Sequence, residues 1–383
     1  MELLTKAGVS LYIHIPFCAR KCNYCDFVSY PGQPPEVVAA YCRHLELEME
    51  LAARTWQPGP VATVFLGGGT PTLLPAARLA EVLEATENYF GWQPGVEVSV
   101  EANPGTITRE QLRVLRAAGV NRLSLGVQSF ADYLLTAMGR IHRRPDIYQA
   151  YDLARGAGFN NINLDLIFGL PGQNLAVWQA TLKEAIALRP EHIATYGFQI
   201  EEGTPWGRLA AAGQLDHPGE DLELAMYQEA RETLAAAGYQ QYEISNFARP
   251  GYECRHNLTY WQNQPYLGLG VAAASSWQGQ RWQNYRDLEQ YGAAVAAGRL
   301  PRAEIATLTR HQQMGETMFL GLRLLEGVDL EAFRRRFGAD PRQVYAGELA
   351  PLYQAGLVEE KGGRLRLTAR GLPLANEVFV AFV

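Results

Sequence analysis

The chain has 383 residues, of which 48% are hydrophobic, and its formal net charge at pH 7 is −6. This length allows one large core and at least one smaller unit, whereas the acidic balance argues against broad contact with nucleic acid. No apolar run approaches the length of a membrane span, and five cysteines, three of them crowded together, do not suggest a disulfide framework. We therefore expect a cytoplasmic protein in a reducing compartment.

The first notable segment follows an apolar run and carries Cys18, Cys22 and Cys25 in the spacing C-x-x-x-C-x-x-C. Thiolates at this spacing can converge on one soft-metal centre, and three of them fit an iron-sulfur cluster with one open corner. A zinc site completed by His14, Cys42 or Cys254 is the alternative. Three unliganded cysteines are disfavoured, because such a group of thiols would be readily oxidised.

Six short apolar segments in the first half have the length and composition of strands, and helical patterns lie between them. This alternation requires parallel pairing through right-handed crossovers, which produces a wound sheet or a barrel. Six such units predict an incomplete barrel rather than a full eight-stranded one. The predicted strands are Val9 to Ile15, Val61 to Leu66, Val96 to Glu101, Arg122 to Gly126, Ile162 to Ile167 and Ile193 to Phe198.

Polar groups and glycines lie in or directly after these strands, at the end where parallel barrels build their ligand sites. The second strand runs into Gly67-Gly68-Gly69-Thr70-Pro71, the third ends at Glu101, and the fifth contains Asp165. Glycines let the backbone approach a ligand closely, although a purely steric role is the default for such a turn. Carboxylates in apolar strands need partners, which a ligand ammonium, ribose hydroxyls or an internal ion pair would supply.

The second half changes character, and the chain divides into regions 1–205, 206–306 and 307–383. The middle region contains Cys254-Arg255-His256-Asn257-Leu258-Thr259-Tyr260-Trp261, which would suit a flat conjugated ligand or an aromatic loop packed under the barrel. The last region shows helical patterns followed by a glycine-turn hairpin, as in a winged-helix unit. Its run Arg334-Arg335-Arg336 is typical of a solvated helix face.

Considered together, these motifs resemble the oxygen-independent coproporphyrinogen III oxidase family of radical S-adenosylmethionine proteins. The residues that carry the resemblance are His14 to Cys18, Gly67 to Pro71, Glu101, Gly126 to Phe130 and Asp165 to Pro171. The resemblance covers essentially the full chain. It implies an α/β fold with a partial (β/α)6 TIM-like radical SAM barrel and a C-terminal α-rich winged-helix-like domain.

The resemblance also implies the cofactors and their ligands. A 4Fe-4S cluster would be held by Cys18, Cys22 and Cys25, and its open iron would bind S-adenosylmethionine. Contacts to that cofactor would come from ten positions that match the family: Tyr12, Tyr24, Gly68, Gly69, Thr70, Glu101, Gln128, Arg140, Asp165 and Ala274.

Two features favour the heme chaperone branch of this family over the oxidase proper. The oxidase has a further cysteine two positions after the third, where this chain has Phe27, and the branch has the pattern His256-Asn257-x-x-Tyr260-Trp261. The resemblance then implies heme as cargo, with His256, Tyr260 and Trp261 as candidate heme contacts. The alternative is the radical decarboxylation of coproporphyrinogen propionates to vinyl groups.

The chaperone branch implies further partners. These are apo-hemoproteins such as respiratory enzymes, a second copy of the chain in a homodimer, and at most a peripheral contact with the membrane. No nucleic acid is expected. Whether the chain is an enzyme that cleaves S-adenosylmethionine stays open, and so does the residue that holds the heme iron.

Overall fold

The computed structural model describes residues 8–383, and the first half is built on six parallel strands. We number them β1 to β6 in chain order, and each lies beside the next in the sheet. The six strands predicted from the sequence are all present, so the predicted α/β architecture is confirmed. Their bounds are Val9–Ile15, Val61–Gly68, Trp92–Ala102, Arg122–Gln128, Ile162–Phe168 and His192–Gly197.

Helices connect these strands and cover the outer face of the sheet. Side-chain caps fix the starts of two of these helices, where Thr108 accepts from the Gln111 N–H and Asn174 accepts from the Val177 N–H. Helices α1 to α6 span Pro35–Trp56, Ala76–Phe90, Arg109–Ala117, Asp132–Ala137, Arg144–Gly156 and Leu175–Ala187.

The side chains of each strand alternate between the two faces of the sheet. Leu11 and Ile13 of β1 are fully buried in the main hydrophobic cluster, whereas Ser10 bonds Thr63 of β2 on the opposite face. Strand residues separated by two share a face, so Ser10, Thr63 and Glu101 point to the barrel interior, as does Asp165 of β5. This is how the sequence places a polar interior inside an apolar shell.

The middle region extends the sheet at both edges, which the sequence did not predict. Strand β7, Asn246–Ala248, pairs antiparallel with β6, and strand β8, Tyr266–Leu269, pairs parallel with β1. The strands Ala274–Trp277, Gln280–Asn284 and Arg302–Thr307 continue antiparallel from β8. The three strands that follow β8 are short and largely polar, so their composition gives little indication of a strand. The helices of this region are Pro205–Ala211, Glu220–Ala236, Arg255–Trp261 and Leu288–Ala296.

A buried carboxylate on α1 fixes the hairpin that follows β8. Glu48 accepts hydrogen bonds from the Gly270 N–H at 2.7 Å, the Tyr291 hydroxyl at 2.7 Å and the Asn284 side-chain amide at 2.5 Å. Burial raises the pKa of this carboxyl to about 7. Because three elements distant in sequence share one acceptor, the hairpin is held in a defined position against the barrel.

The last region consists of helices and a small three-stranded sheet, which contains the predicted hairpin and a third strand that the sequence did not predict. The strands Val358–Lys361 and Arg364–Leu367 form the hairpin, and Val328–Asp329 pairs with its second strand. The arginine run is committed to intramolecular contacts, because Arg334 pairs with Asp340 at 2.7 Å and Arg336 donates to the Asn263 carbonyl at 3.0 Å. The helices are Arg310–Gly321, Leu330–Phe337, Pro341–Val344, Ala346–Gln354 and Ala375–Val380. Within residues 8–383, no helix is both long and apolar enough to cross a membrane.

Candidate functional site

The cysteine loop follows β1 and is tied to the barrel at several points. The Gly69 N–H donates to the Ile15 carbonyl at 2.9 Å and the Thr70 N–H donates to the Phe17 carbonyl at 2.8 Å. On the other side, the Asn23 N–H donates to the Met138 carbonyl at 2.9 Å. The loop is therefore held between the end of β2 and the segment after α4.

The three thiols of this loop are half-buried, free and close enough to influence one another. Burial raises the pKa of Cys18, and it raises the pKa of Cys25 to about 11. The guanidinium of Arg140 lies 3.7 Å from the sulfur of Cys22. Deprotonated thiols in this half-buried loop need a positive charge close to them, and a bound metal centre supplies it. The donor set therefore fits a cluster bound by three cysteines.

The residues considered as a fourth zinc ligand lie elsewhere or are already engaged. Cys254 donates to Glu97 at 3.6 Å on the far side of the barrel, and Cys42 is buried on α1. The ring of His14 bonds the Tyr12 hydroxyl at 3.0 Å and the Val28 carbonyl at 2.9 Å. The structure therefore does not support the zinc alternative.

The glycines at the end of β2 are required because this segment packs closely against β1 and the cysteine loop. A Cβ on Gly68, which has φ of +112°, would lie 2.5 Å from the His14 ring, and a Cβ on Gly69 would lie 2.5 Å from the Phe17 carbonyl oxygen. Any side chain here would push the loop away from β2. Close packing is therefore enough to explain why these two positions are glycine. Their backbone, which carries no side chain, also faces the site.

Two half-buried carboxylates lie close enough in the barrel interior for one to act on the other. Burial, and after it the charge of Asp165, raises the pKa of Glu101 to about 8, and burial likewise raises the pKa of Asp165. Glu101 accepts from the Gly68 N–H at 3.2 Å, and Asp165 accepts from Asn163 at 2.7 Å and Ser124 at 3.1 Å. Within residues 8–383 neither carboxylate joins a salt bridge, so the internal ion pair considered above does not form. Their placement fits a cationic or hydroxyl-bearing ligand.

Arg140 joins the cysteine loop to the barrel interior. It donates to the Gly126 carbonyl at 2.6 Å and to the side chain of Asn103, which in turn donates to Thr70 at 2.8 Å. Beside it, Gln128 has the left-handed φ of +65° at the end of β4, a strained conformation typical of functional positions. Tyr24 packs against Trp206 with ring centroids 6.1 Å apart, and burial raises its pKa.

Asn103 and Tyr196 belong to this site, and the sequence reasoning did not identify them. Asn103 couples Arg140 to Thr70. Tyr196 is 41% exposed at the barrel mouth, and desolvation and, after it, the charge of Asp165 raise its pKa. Both residues could have been identified from the sequence, because each lies near the end of a predicted strand, where the other site candidates were found.

A cavity of about 580 Å³ lies between the cysteine loop, the β8 hairpin and the helix Arg310–Gly321. Two predicted cofactor contacts, Tyr12 and Ala274, line this cavity. Two other predicted site residues, Arg140 and Cys22, line a separate and smaller cleft. The lining of the larger cavity also includes Asp26, Phe27, Val28, Tyr260, Trp261, Tyr266, Arg281, Arg286, Phe319 and Leu320.

His256 does not reach this cavity. It lies on the helix Arg255–Trp261, is 1% exposed, and bonds Thr63 at 2.8 Å and the Tyr260 hydroxyl at 2.8 Å through its two ring nitrogens. Burial lowers its pKa to about 3. Both ring nitrogens are engaged inside the protein in this structure, and a heme contact of His256 stays a prediction. Tyr260 and Trp261 do line the cavity.

Comparison with known proteins assigns the chain to a family. The model of the radical SAM superfamily matches residues 12–185, and that of the HemN C-terminal domain matches residues 308–374. The heme chaperone HemW of Bacillus subtilis is 40% identical over 380 residues, which is 98% of this chain and 99% of that protein. The chain belongs to the HemW family. The resemblance read from the motifs is thereby confirmed.

Two further relatives agree with this assignment. The heme chaperone HemW of Escherichia coli is 40% identical over 267 residues, covering 69% of each chain. The structure of coproporphyrinogen III oxidase (HemN) from Escherichia coli, described as a radical SAM enzyme, superimposes with a TM-score of 0.84 at 28% identity. That superposition covers 98% of this chain and 90% of HemN, which confirms the predicted fold.

Proposed function

We propose that this chain is a heme chaperone that binds heme and transfers it to apo-hemoproteins, and that it carries a 4Fe-4S cluster and S-adenosylmethionine. The observation that carries the proposal is the aromatic cavity beside the cysteine loop, in a chain that aligns over nearly its full length with HemW. Ligand cavities of this size accept molecules of the dimensions of a porphyrin.

The cavity offers what heme requires. Apolar and aromatic side chains such as Phe27, Trp261 and Phe319 would cover the porphyrin plane. Arg286 is exposed at the same cavity and would pair with a propionate, whereas Arg281 is already held by Glu316 at 2.7 Å. Phe27 directly follows the cluster loop, so the cargo would lie next to the cluster.

The residues of the loop and barrel interior would hold the resident cofactors. Cys18, Cys22 and Cys25 would bind the cluster through their thiolates, and the bound cluster supplies one-electron chemistry. Glu101 and Asp165 would receive the ammonium and ribose groups of S-adenosylmethionine, because both are half-buried acceptors that form no salt bridge. The remaining contacts would be Tyr24, Gly68, Gly69, Thr70, Gln128 and Arg140, together with Tyr12 and Ala274, which would contact the cofactor from the aromatic cavity.

Recipients and assembly follow from the proposed activity. The recipients would be apo-hemoproteins such as respiratory enzymes, and the chain would act in the cytoplasm as a homodimer with at most peripheral membrane contact. Phe27 is 61% exposed and Ile141 is 51% exposed on either side of the cysteine loop, which supports contact with another protein surface there.

An anaerobic titration of the reconstituted protein with heme tests the proposal. We expect saturation near one heme per chain, and affinity about tenfold lower in Phe27→Ala, since that ring would lose its cover of the porphyrin. Tyr133→Ala is the matched control, because Tyr133 is 53% exposed and lies outside the cavity lining. If no saturable binding occurs, the proposal is wrong, and radical decarboxylation of coproporphyrinogen becomes the leading alternative.

A further inference from the structure

The helix Arg255–Trp261 is fixed inside the barrel by hydrogen bonds at both ends. The N–H groups of Arg255 and His256 donate to Glu97, each at 3.0 Å. Near its other end, the Thr259 hydroxyl bonds Ser10 of β1 at 2.8 Å. Because these contacts join the helix to two barrel strands, the side chains it presents to the cavity are held in place.

A chain of hydroxyl groups determines which nitrogen of His256 carries hydrogen. The Thr259 hydroxyl donates to the Arg255 carbonyl at 3.2 Å, so the Thr259 oxygen accepts from Ser10. The Ser10 oxygen accepts from Thr63 at 2.8 Å, and Thr63 has therefore used its only hydrogen. Thr63 can only accept from Nδ1 of His256, which lies 2.8 Å away. Nδ1 thus bears the hydrogen, as expected for a neutral buried ring.

It follows that Nε2 of His256 is an acceptor and that the Tyr260 hydroxyl, 2.8 Å away, donates to it. The hydrogen of Tyr260 points into the protein, and its oxygen keeps its lone pairs. Tyr260 lines the cavity, and its ring packs edge-on against Tyr266 with centroids 4.7 Å apart. A phenol whose hydrogen is bound by a neutral imidazole presents an electron-rich oxygen to a ligand in the cavity.

We propose that Tyr260 Oη is the axial ligand of ferric heme in this cavity and that His256 is its positioning residue. On ligation the Tyr260 O–H bond breaks and the oxygen keeps the electron pair that forms the bond to iron. The proton is released to bulk solvent, because burial lowers the pKa of His256 to about 3 and its ring does not hold a second proton, and no redox change occurs. This inference rests on the proposed heme-binding function. A tyrosinate is an established axial ligand for heme iron in other proteins.

Other side chains of the cavity are less suited to this role. The rings of His14 and His256 have both nitrogens engaged. The Tyr266 oxygen accepts from the cationic Arg281 at 2.9 Å, which draws electron density away from it. Tyr12 also donates to a histidine, His14, but burial and, directly after it, the charge of Glu101 raise its pKa and oppose a second anion there. At Tyr260 the charge of Glu101 acts on the pKa only after burial and three other groups.

Tyr260→Phe tests the proposal, because it removes one oxygen and keeps the packed ring. In the holoprotein loaded with ferric heme, we expect phenolate vibrations in the resonance Raman spectrum of the wild type and their loss in the variant. We also expect ferric heme affinity to fall roughly a hundredfold and the midpoint potential to rise, since an anionic oxygen ligand favours ferric iron. Tyr133→Phe, on the exposed surface outside the cavity, should change neither property.

The outcomes separate this inference from the proposed function. If the wild type does not bind heme, the proposed function fails. If the wild type binds heme and Tyr260→Phe keeps the phenolate signal, the ligand assignment alone is overturned, and loss of the signal in Tyr12→Phe would move the ligand to Tyr12. His256→Gln gives a second readout, because a positioning histidine predicts a shifted phenolate vibration with the signal still present.

Discussion

Replacing Cys22 by serine is expected to remove the iron-sulfur cluster, with iron and sulfide contents of the anaerobically reconstituted protein falling to near background. A four-iron cluster that is bound by three thiolates is lost when only two remain, and a serine hydroxyl is a poor ligand for this soft metal centre. Cys22 lies on the loop between Cys18 and Cys25, and its sulfur is 3.7 Å from Arg140.

The control for this experiment is Cys42→Ser, which removes a thiol from α1, away from the cysteine loop. Its iron and sulfide content should equal that of the wild type. Undiminished iron and sulfide in Cys22→Ser would contradict the assignment of the loop. Equal losses in both variants would indicate a general effect on folding, which circular dichroism would reveal.

Replacing Glu101 by glutamine is expected to weaken S-adenosylmethionine binding roughly a hundredfold, because the cofactor would lose its buried anionic partner. The pKa of Glu101 is about 8 in the ligand-free protein, so the carboxyl is largely protonated at lower pH. Since a cationic ligand favours the ionised form, wild-type affinity should fall about tenfold for each pH unit below that value. The variant should lack this component of the pH dependence. Isothermal titration calorimetry at several pH values measures both effects.

The same substitution should stabilise the ligand-free protein at alkaline pH. Because folding raises the Glu101 pKa from 4.5 to about 8, the folded state binds more protons than the unfolded state between these values. Stability from this group is therefore lost as pH rises through that window, and glutamine abolishes the loss.

Glu97→Gln, on the same strand, is the contrasting control. It should lower thermal stability, because Glu97 holds the helix Arg255–Trp261, and leave cofactor binding intact. A melting temperature of Glu101→Gln below that of the wild type above pH 8 would contradict the argument.

The proposed cofactor and heme sites are neighbours across β1. Tyr12 of this strand lines the heme cavity and lies near Glu101, while the loop that follows β1 carries both the cluster cysteines and Phe27. Binding at one site therefore acts on residues that belong to the other. This arrangement gives a structural route by which the cluster and its cofactor would influence heme release.

Local sequence determined much of the fold and of the cluster site. The six strands were predictable because each is a short segment rich in β-branched and other apolar residues, with a helical pattern between it and the next. The cysteine spacing and Phe27 lie within ten consecutive residues, so their proximity in space follows from proximity in the chain. Glu101 and Asp165 were identifiable because charges inside apolar strands are costly and therefore conspicuous.

Only the tertiary structure decided how the middle region completes the site. Strand β8 pairs with β1 although more than 250 residues separate Tyr12 from its partner Gly268, and no local pattern encodes such a pairing. The role of His256 likewise depends on Thr63 and Ser10, which lie on other strands. A histidine is a ligand or a buried hydrogen-bonding group according to what surrounds its two nitrogens. The sequence determined which chemical groups are present, and long-range packing decided which of their atoms remain free.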